Sequence, residues 1–125
     1  MSSPSALANL GSLAFGTDAP VEPVDALAGL AVAISRTNAD GEPFGGWRAE
    51  ETISREQALA AYTAGAAYAG FAEGRFGRLA EGERADFVIL SADPLMANPA
   101  QLRNIQVLET WIAGQRVYDF ELENR

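Results

Sequence analysis

The stretch Leu13-Ala14-Phe15-Gly16-Thr17-Asp18-Ala19-Pro20 decides how this chain is read. A short apolar run is broken by Gly16 and followed at once by a carboxylate, and Pro23 then opens a helical pattern. The order predicts a strand from Ser12 to Gly16, a loop and a helix, with Asp18 at the strand's carboxyl end. In barrels and open α/β sheets that end holds the ligands and the chemistry, because side chains there project from a rigid strand into a mouth lined by loops. A plainer reading stands beside it: an Asp ahead of a helix commonly serves as a cap or turn former.

Working outward, the helix is expected from Pro23 to about Ser35. Pro23 suits a first turn, Glu22 and Asp25 complement the positive end of the helix dipole, and Arg36 the negative end. Leu27, Leu30, Ala31 and Ile34 fall on one apolar stripe, which should be buried against a sheet. Ahead of the strand, Ser5 to Leu10 is a short helix-compatible stretch. Beyond the helix, Thr37 to Glu51 reads as a loop, and a loop of this length is often functional. Its Phe44 and Trp47 either close over a substrate or, the favoured reading, plug the loop onto the core. Ser54 and Gln57 have capping-box spacing, with Ile53 placed to staple against Ala58. The helix that follows presents Ala58, Leu59, Tyr62, Ala66 and Ala69 on one face and ends near Gly70. Gly65 inside it costs about 1 kcal/mol relative to Ala, which points to a second backbone passing close by.

After Glu73 the character changes. Gly77 to Gly82 is a turn-rich connector, and Ala85 to Leu90 is a strand whose unbroken apolar run fits burial on both faces. Asp93-Pro94 and Asn98-Pro99 mark turns. Ile105 to Ile112 is a further strand, and Ala113-Gly114-Gln115 turns it into Arg116 to Tyr118 as a hairpin. The polar end from Glu121 is expected to fray. The organisation is residues 1–72 of α/β type, residues 73–120 as a small β layer, and 121–125 as a tail. Three short strands and a lone βα unit do not cover their own edges.

Composition narrows the chemistry. The chain has 125 residues, enough for one domain with a core, and 48% of them are apolar. It has no Cys and no His, and all nine basic residues are Arg. Thiolate catalysis, a Ser-His-Asp triad and a His-ligated zinc are therefore excluded for this chain by itself. A formal charge of −8 without a basic stripe argues against nucleic acid. No apolar run reaches the ~20 residues of a membrane helix, and the start lacks the features of a signal peptide, so a cytoplasmic location is expected.

Three stretches carry a resemblance. Gly77-Arg-Leu-Ala-Glu-Gly82-Glu-Arg-Ala-Asp86-Phe-Val-Ile-Leu90 resembles the signature near the end of metal-dependent amidohydrolases. Phe15 to Pro20 with the helix ending in Arg36, and Ala58 to Ala67, are similar to amidohydrolase family 3, the branch that includes N-substituted formamide deformylase-like enzymes. The resemblance runs from about Leu13 to Tyr118. It implies an α/β plus β fold: the last βα part of a (β/α)8 TIM barrel, followed by the C-terminal strands of a composite β-sandwich. It also implies that Asp18 holds the position of the catalytic carboxylate that ligates the metal and takes a proton from metal-bound water. Asp86 reads as structural, orienting a turn ahead of the sandwich strand.

The departures are as plain. The family's metal-binding histidines have no counterpart here, and an eight-stranded barrel needs on the order of 200 residues or more. Zinc or another divalent metal belongs to the intact family; one carboxylate does not hold a catalytic zinc, so none is expected on this chain alone. The expectation is the carboxyl-terminal portion of an amidohydrolase acting on carbon–nitrogen bonds other than peptide bonds, inactive in isolation and completed by a missing N-terminal barrel portion. The alternatives are a small module that self-associates through open sheet edges, and a truncated gene product without selected activity.

Overall fold

The structure, a computed structural model, describes residues 13–21 and 24–125. The stretch Ser5 to Leu10, and Ser12, Glu22 and Pro23 of the readings above, lie outside the described residues. Helix α1 (Ala26–Ser35) begins where the Asp25 carboxylate accepts hydrogen bonds from the N–H groups of Leu27 and Ala28, at 3.0 and 3.2 Å. That cap places the helix start three residues beyond Pro23. The helix ends on Arg36, whose left-handed backbone (φ 58°) turns the chain away while its N–H bonds the Val32 carbonyl.

The stripe on α1 is buried as expected, but its neighbours are helices rather than a sheet. Leu30 and Ala33 pack with Ala58, joined by Phe15, Ile53, Leu59 and Tyr62. Ala31 packs with Ala97, Leu102 and Ile105, joined by Leu90. The first group comes largely from α2 (Arg55–Tyr62), the second from Leu102 of α4 (Pro99–Asn104) and from Ala97 and Ile105, which flank that helix. Helix α2 opens with the expected capping box: Ser54 Oγ accepts from Gln57 N–H at 3.1 Å and Gln57 Oε1 from Ser54 N–H at 3.0 Å. The expected single helix to Gly70 is two, because Thr63 leaves helical geometry (φ −117°, ψ −92°) with its hydroxyl on the Leu59 carbonyl. Helix α3 (Ala64–Ala69) follows. The break moves the buried face to Ala58, Ala61 and Ala67, leaving Ala69 exposed.

Helix α4 replaces the turn expected at Asn98-Pro99. The Asn98 side chain accepts from Gln101 N–H at 2.8 Å, Gln101 returns a bond to Asn98 N–H at 2.9 Å, and Pro99 opens the first turn. Asn-Pro-x-Gln is a helix start in the sequence as much as a turn. What selects the helix is Leu102, 1% exposed against α1.

Strands β1 (Phe87–Leu90), β2 (Val107–Ile112) and β3 (Gln115–Asp119) form an antiparallel sheet in the order β1-β2-β3. The hairpin is as predicted: Ala113 and Gly114 both have positive φ, 51° and 76°, which suits a two-residue turn matched to strand twist. Two expectations fail. Burial of β1 on both faces does not hold, since Val88 and Ile89 are 48% and 43% exposed; among the described residues β1 pairs only with β2, at the rim of the sheet. Of the strand expected from Ser12 to Gly16, the described residues 13–16 form no regular element: no described strand lies beside them, and Phe15 N–H bonds the Ala61 carbonyl instead. The polar end is ordered as α5 (Phe120–Glu123), capped by Asp119. Among the described residues no helix is long and apolar enough to cross a membrane.

Two substitutions test this packing by urea unfolding. Leu102→Ala is expected to destabilise by about 2–5 kcal/mol and Ser54→Ala by about 1 kcal/mol. Gly65→Ala would stabilise on helix propensity alone, by up to about 1 kcal/mol. It is expected to destabilise instead, because a Cβ there would overlap the Leu13 carbonyl oxygen.

Candidate functional site

The segment carrying Asp18 is laid along the junction of α2 and α3. Phe15 N–H donates to the Ala61 carbonyl at 2.9 Å, and the Leu13 carbonyl occupies the space that Gly65 leaves by having no side chain. The second backbone that Gly65 predicts is therefore this segment. The Phe15 ring meets Tyr62 edge-on, with centroids 5.3 Å apart. Burial, and then the Asp25 carboxylate, push the Tyr62 hydroxyl above its ordinary pKa. This packing delivers Asp18 to an exposed turn. Its backbone is left-handed (φ 58°), which Asp tolerates, and its carbonyl accepts from Val21 N–H at 3.0 Å. The helix cap is Asp25, so of the two plain readings Asp18 takes the turn.

Asp18 is the one residue the sequence nominates for catalysis and for a metal. Among the described residues no group of three His, Cys, Asp or Glu side chains is disposed to hold a metal ion. A catalytic zinc takes three protein ligands, and the described donors do not assemble such a set.

The loop after α1 is organised by Arg36. Its Nε donates to the Trp47 carbonyl at 3.0 Å, its own carbonyl accepts from Trp47 N–H at 3.0 Å, and its guanidinium approaches Glu51 at 3.8 Å. Arg36 and Arg48 each lie 4.8 Å from the centre of the Trp47 ring. Trp47 is thus held by cations over its face and remains more than half exposed. Phe44 is fully exposed and plugs nothing, because the loop is already fastened through Arg36.

Asp86 acts as a tie. Arg84 Nε donates to both of its oxygens at 2.9 and 2.8 Å, and Ala113 N–H donates to Oδ1 at 2.9 Å. Beside it, Gly114 N–H bonds the Ala85 carbonyl at 3.0 Å. The start of β1 is thereby fixed to the tip of the β2–β3 hairpin, in keeping with a structural role. The Arg84 bond first, and then the Ala113 N–H, hold the Asp86 carboxyl below the ordinary carboxylate range.

Between α3 and the sheet lies an open groove of about 670 Å³, which sequence reasoning did not foresee. Ala67 and Gly70 form one wall, Phe87, Val88 and Trp111 the other, and Leu79 closes an end. Phe87 and Trp111 stand opposite each other in the sheet with rings stacked 5.5 Å apart. The signal for the helical wall is its run of small residues; nothing local signals that the wall faces a sheet.

Residues 4–118 match the amidohydrolase family. The chain is similar to the putative amidohydrolase YtcJ of Bacillus subtilis (strain 168), with 39% identity over 104 residues, 83% of this chain and 20% of the relative. It is similar to the protein LONG AFTER FAR-RED 3 of Arabidopsis thaliana, 34% identical over 106 residues, 85% of this chain and 18% of the relative. It also resembles N-substituted formamide deformylase of Arthrobacter pascens, 30% identical over 87 residues, 70% of this chain and 16% of the relative. The chain thus spans a fifth or less of these relatives. No solved structure matches it significantly.

The Asp86 tie makes a prediction about pH. A carboxyl whose folded pKa lies below its ordinary value of 3.8 contributes stability above that value and loses it as pH falls through the folded one. Asp86→Asn should therefore melt below the unaltered chain at pH 7, and the difference should close as the pH falls below about 3.8. Thermal melts across that range check it.

Proposed function

The chain belongs to the amidohydrolase family, and from that premise we propose that it is the carboxyl-terminal portion of a hydrolase acting on carbon–nitrogen bonds other than peptide bonds. The observation that carries the reading is the share of the relatives it spans, between 16% and 20%. On this reading residues 1–72 correspond to the closing βα part of a (β/α)8 barrel and residues 73–120 to terminal strands of a composite β-sandwich. The missing N-terminal barrel portion is the partner. Asp18 supplies one carboxylate to a divalent-metal site whose other ligands that portion brings. Its exposed turn at the end of an extended segment supports this, since the side chain stands clear of its own packing. The isolated chain is inactive, because a single carboxylate does not hold the metal.

A second reading, self-association through the sheet, is favoured by the half-exposed Val88 and Ile89 on a strand with one partner among the described residues.

Co-expression of the full chain with the remaining four-fifths of the Bacillus subtilis relative tests the proposal. The expected outcome is a co-purifying complex that carries zinc and hydrolyses an N-substituted formamide, the substrate class in one relative's name. Neither property should appear with either piece alone. Asp18→Asn in the complex should slow hydrolysis by about a hundredfold or more while leaving the complex intact. Hydrolysis by the chain alone, or an Asp18→Asn complex of unchanged rate, overturns the reading. A zinc-free oligomer of the chain that ignores the added piece favours self-association.

A further inference from the structure

We infer that the groove between α3 and the sheet is the seat of the polypeptide that makes up the rest of a full-length relative. This rests on the proposal above and goes beyond it by naming the surface. The two sides of the molecule differ in how they are finished. On the helical side α1 is covered by α2 and α4, with Leu30, Ala31, Ala33, Ala58 and Leu102 buried. In the groove the apolar side chains face water: Leu79 is 82% exposed, Val88 48% and Ile112 46%. Burying them is favourable by about 25 cal/mol per Å² of apolar area removed from water.

The rim identifies the kind of occupant. Arg78 pairs with Glu83 at 2.7 Å and Arg84 with Asp86 at 2.5 Å, so both of these arginines are already engaged by carboxylates, while the second Glu83 oxygen is buried without a hydrogen-bond partner. An apolar floor whose neighbouring arginines are already paired suits a protein surface better than an anionic ligand. Among the described residues the wall strand β1 pairs on one side only, so the same occupant also meets the edge they leave open. A second copy of the chain is the poorer fit, because each copy carries a net charge of −8 and the two repel. The remaining four-fifths of a relative is the occupant for which length gives a reason: this chain covers only 20% of the Bacillus subtilis protein.

The test uses the purified full chain and that remaining four-fifths, mixed and followed by size-exclusion chromatography with light scattering. Leu79→Asp and Val88→Asp place a charge in the groove. Met96→Asp, an exposed position that does not line it, is the control. Circular dichroism confirms that each variant is folded, and Leu79→Asp, in a connecting loop, keeps the test alive if Val88→Asp is not. The expected result is that the unaltered chain and Met96→Asp form the complex while the groove variants bind at least tenfold more weakly. Equal binding by all of them overturns the groove and leaves the proposed function standing. No binding even by the unaltered chain removes the proposed function and the groove with it. A homodimer of the unaltered chain that Leu79→Asp dissociates makes the occupant a second copy and also overturns the inference.

Discussion

Helix α1 is buried on two sides, and the small side chains at its centre are what permit this. Ala31 and Ala33 are almost wholly enclosed, so α4 approaches across one and α2 across the other. Larger residues at either position would hold one neighbour away, because packed interiors tolerate little extra volume. The remaining helical structure hangs on that helix. Arg103 of α4 reaches the Thr37 carbonyl at 2.7 Å, and Arg55 at the start of α2 bonds the Pro94 carbonyl at 3.2 Å and also the Ala97 carbonyl. Arginine suits these places because one planar guanidinium satisfies several carbonyls at once.

The same small-residue device sets the position of Asp18. Gly65 lets the Leu13 backbone lie against α3, Phe15 is held between Ala61 and Tyr62, and the carboxylate follows at the next turn. The chain's organisation contrasts a well-finished helical layer with a sheet that, among the described residues, has no strand beyond β1. Asp86 stabilises that sheet from within by tying β1 to the hairpin tip, independently of what covers the groove.

Much of this was legible. The capping box at Ser54, the hairpin at Ala113-Gly114 and the close approach at Gly65 are each set by contacts within a few residues or by the lack of a side chain, and each is found as read. The stripe Leu27, Leu30, Ala31, Ile34 foretold burial but not the neighbour, since periodicity reports which face is apolar and not what it meets. Thr63 divided a helix that its alanines alone would have continued, and Asn98-Pro99 began a helix although the same pair also makes turns.

The sequence by itself determined the capping box at Ser54, the hairpin turn at Ala113-Gly114, the absence of histidine and cysteine ligands, and the nomination of Asp18 and Asp86. These follow from backbone sterics, nearby hydrogen bonds and composition, which need no distant partner. Only the tertiary structure decided that α1 lies among helices, that the segment from Leu13 to Asp18 bonds a helix end rather than a strand, and that β1 is half exposed. Each of those outcomes depends on which backbone or apolar surface stands alongside, and that is set by packing between residues far apart in the chain.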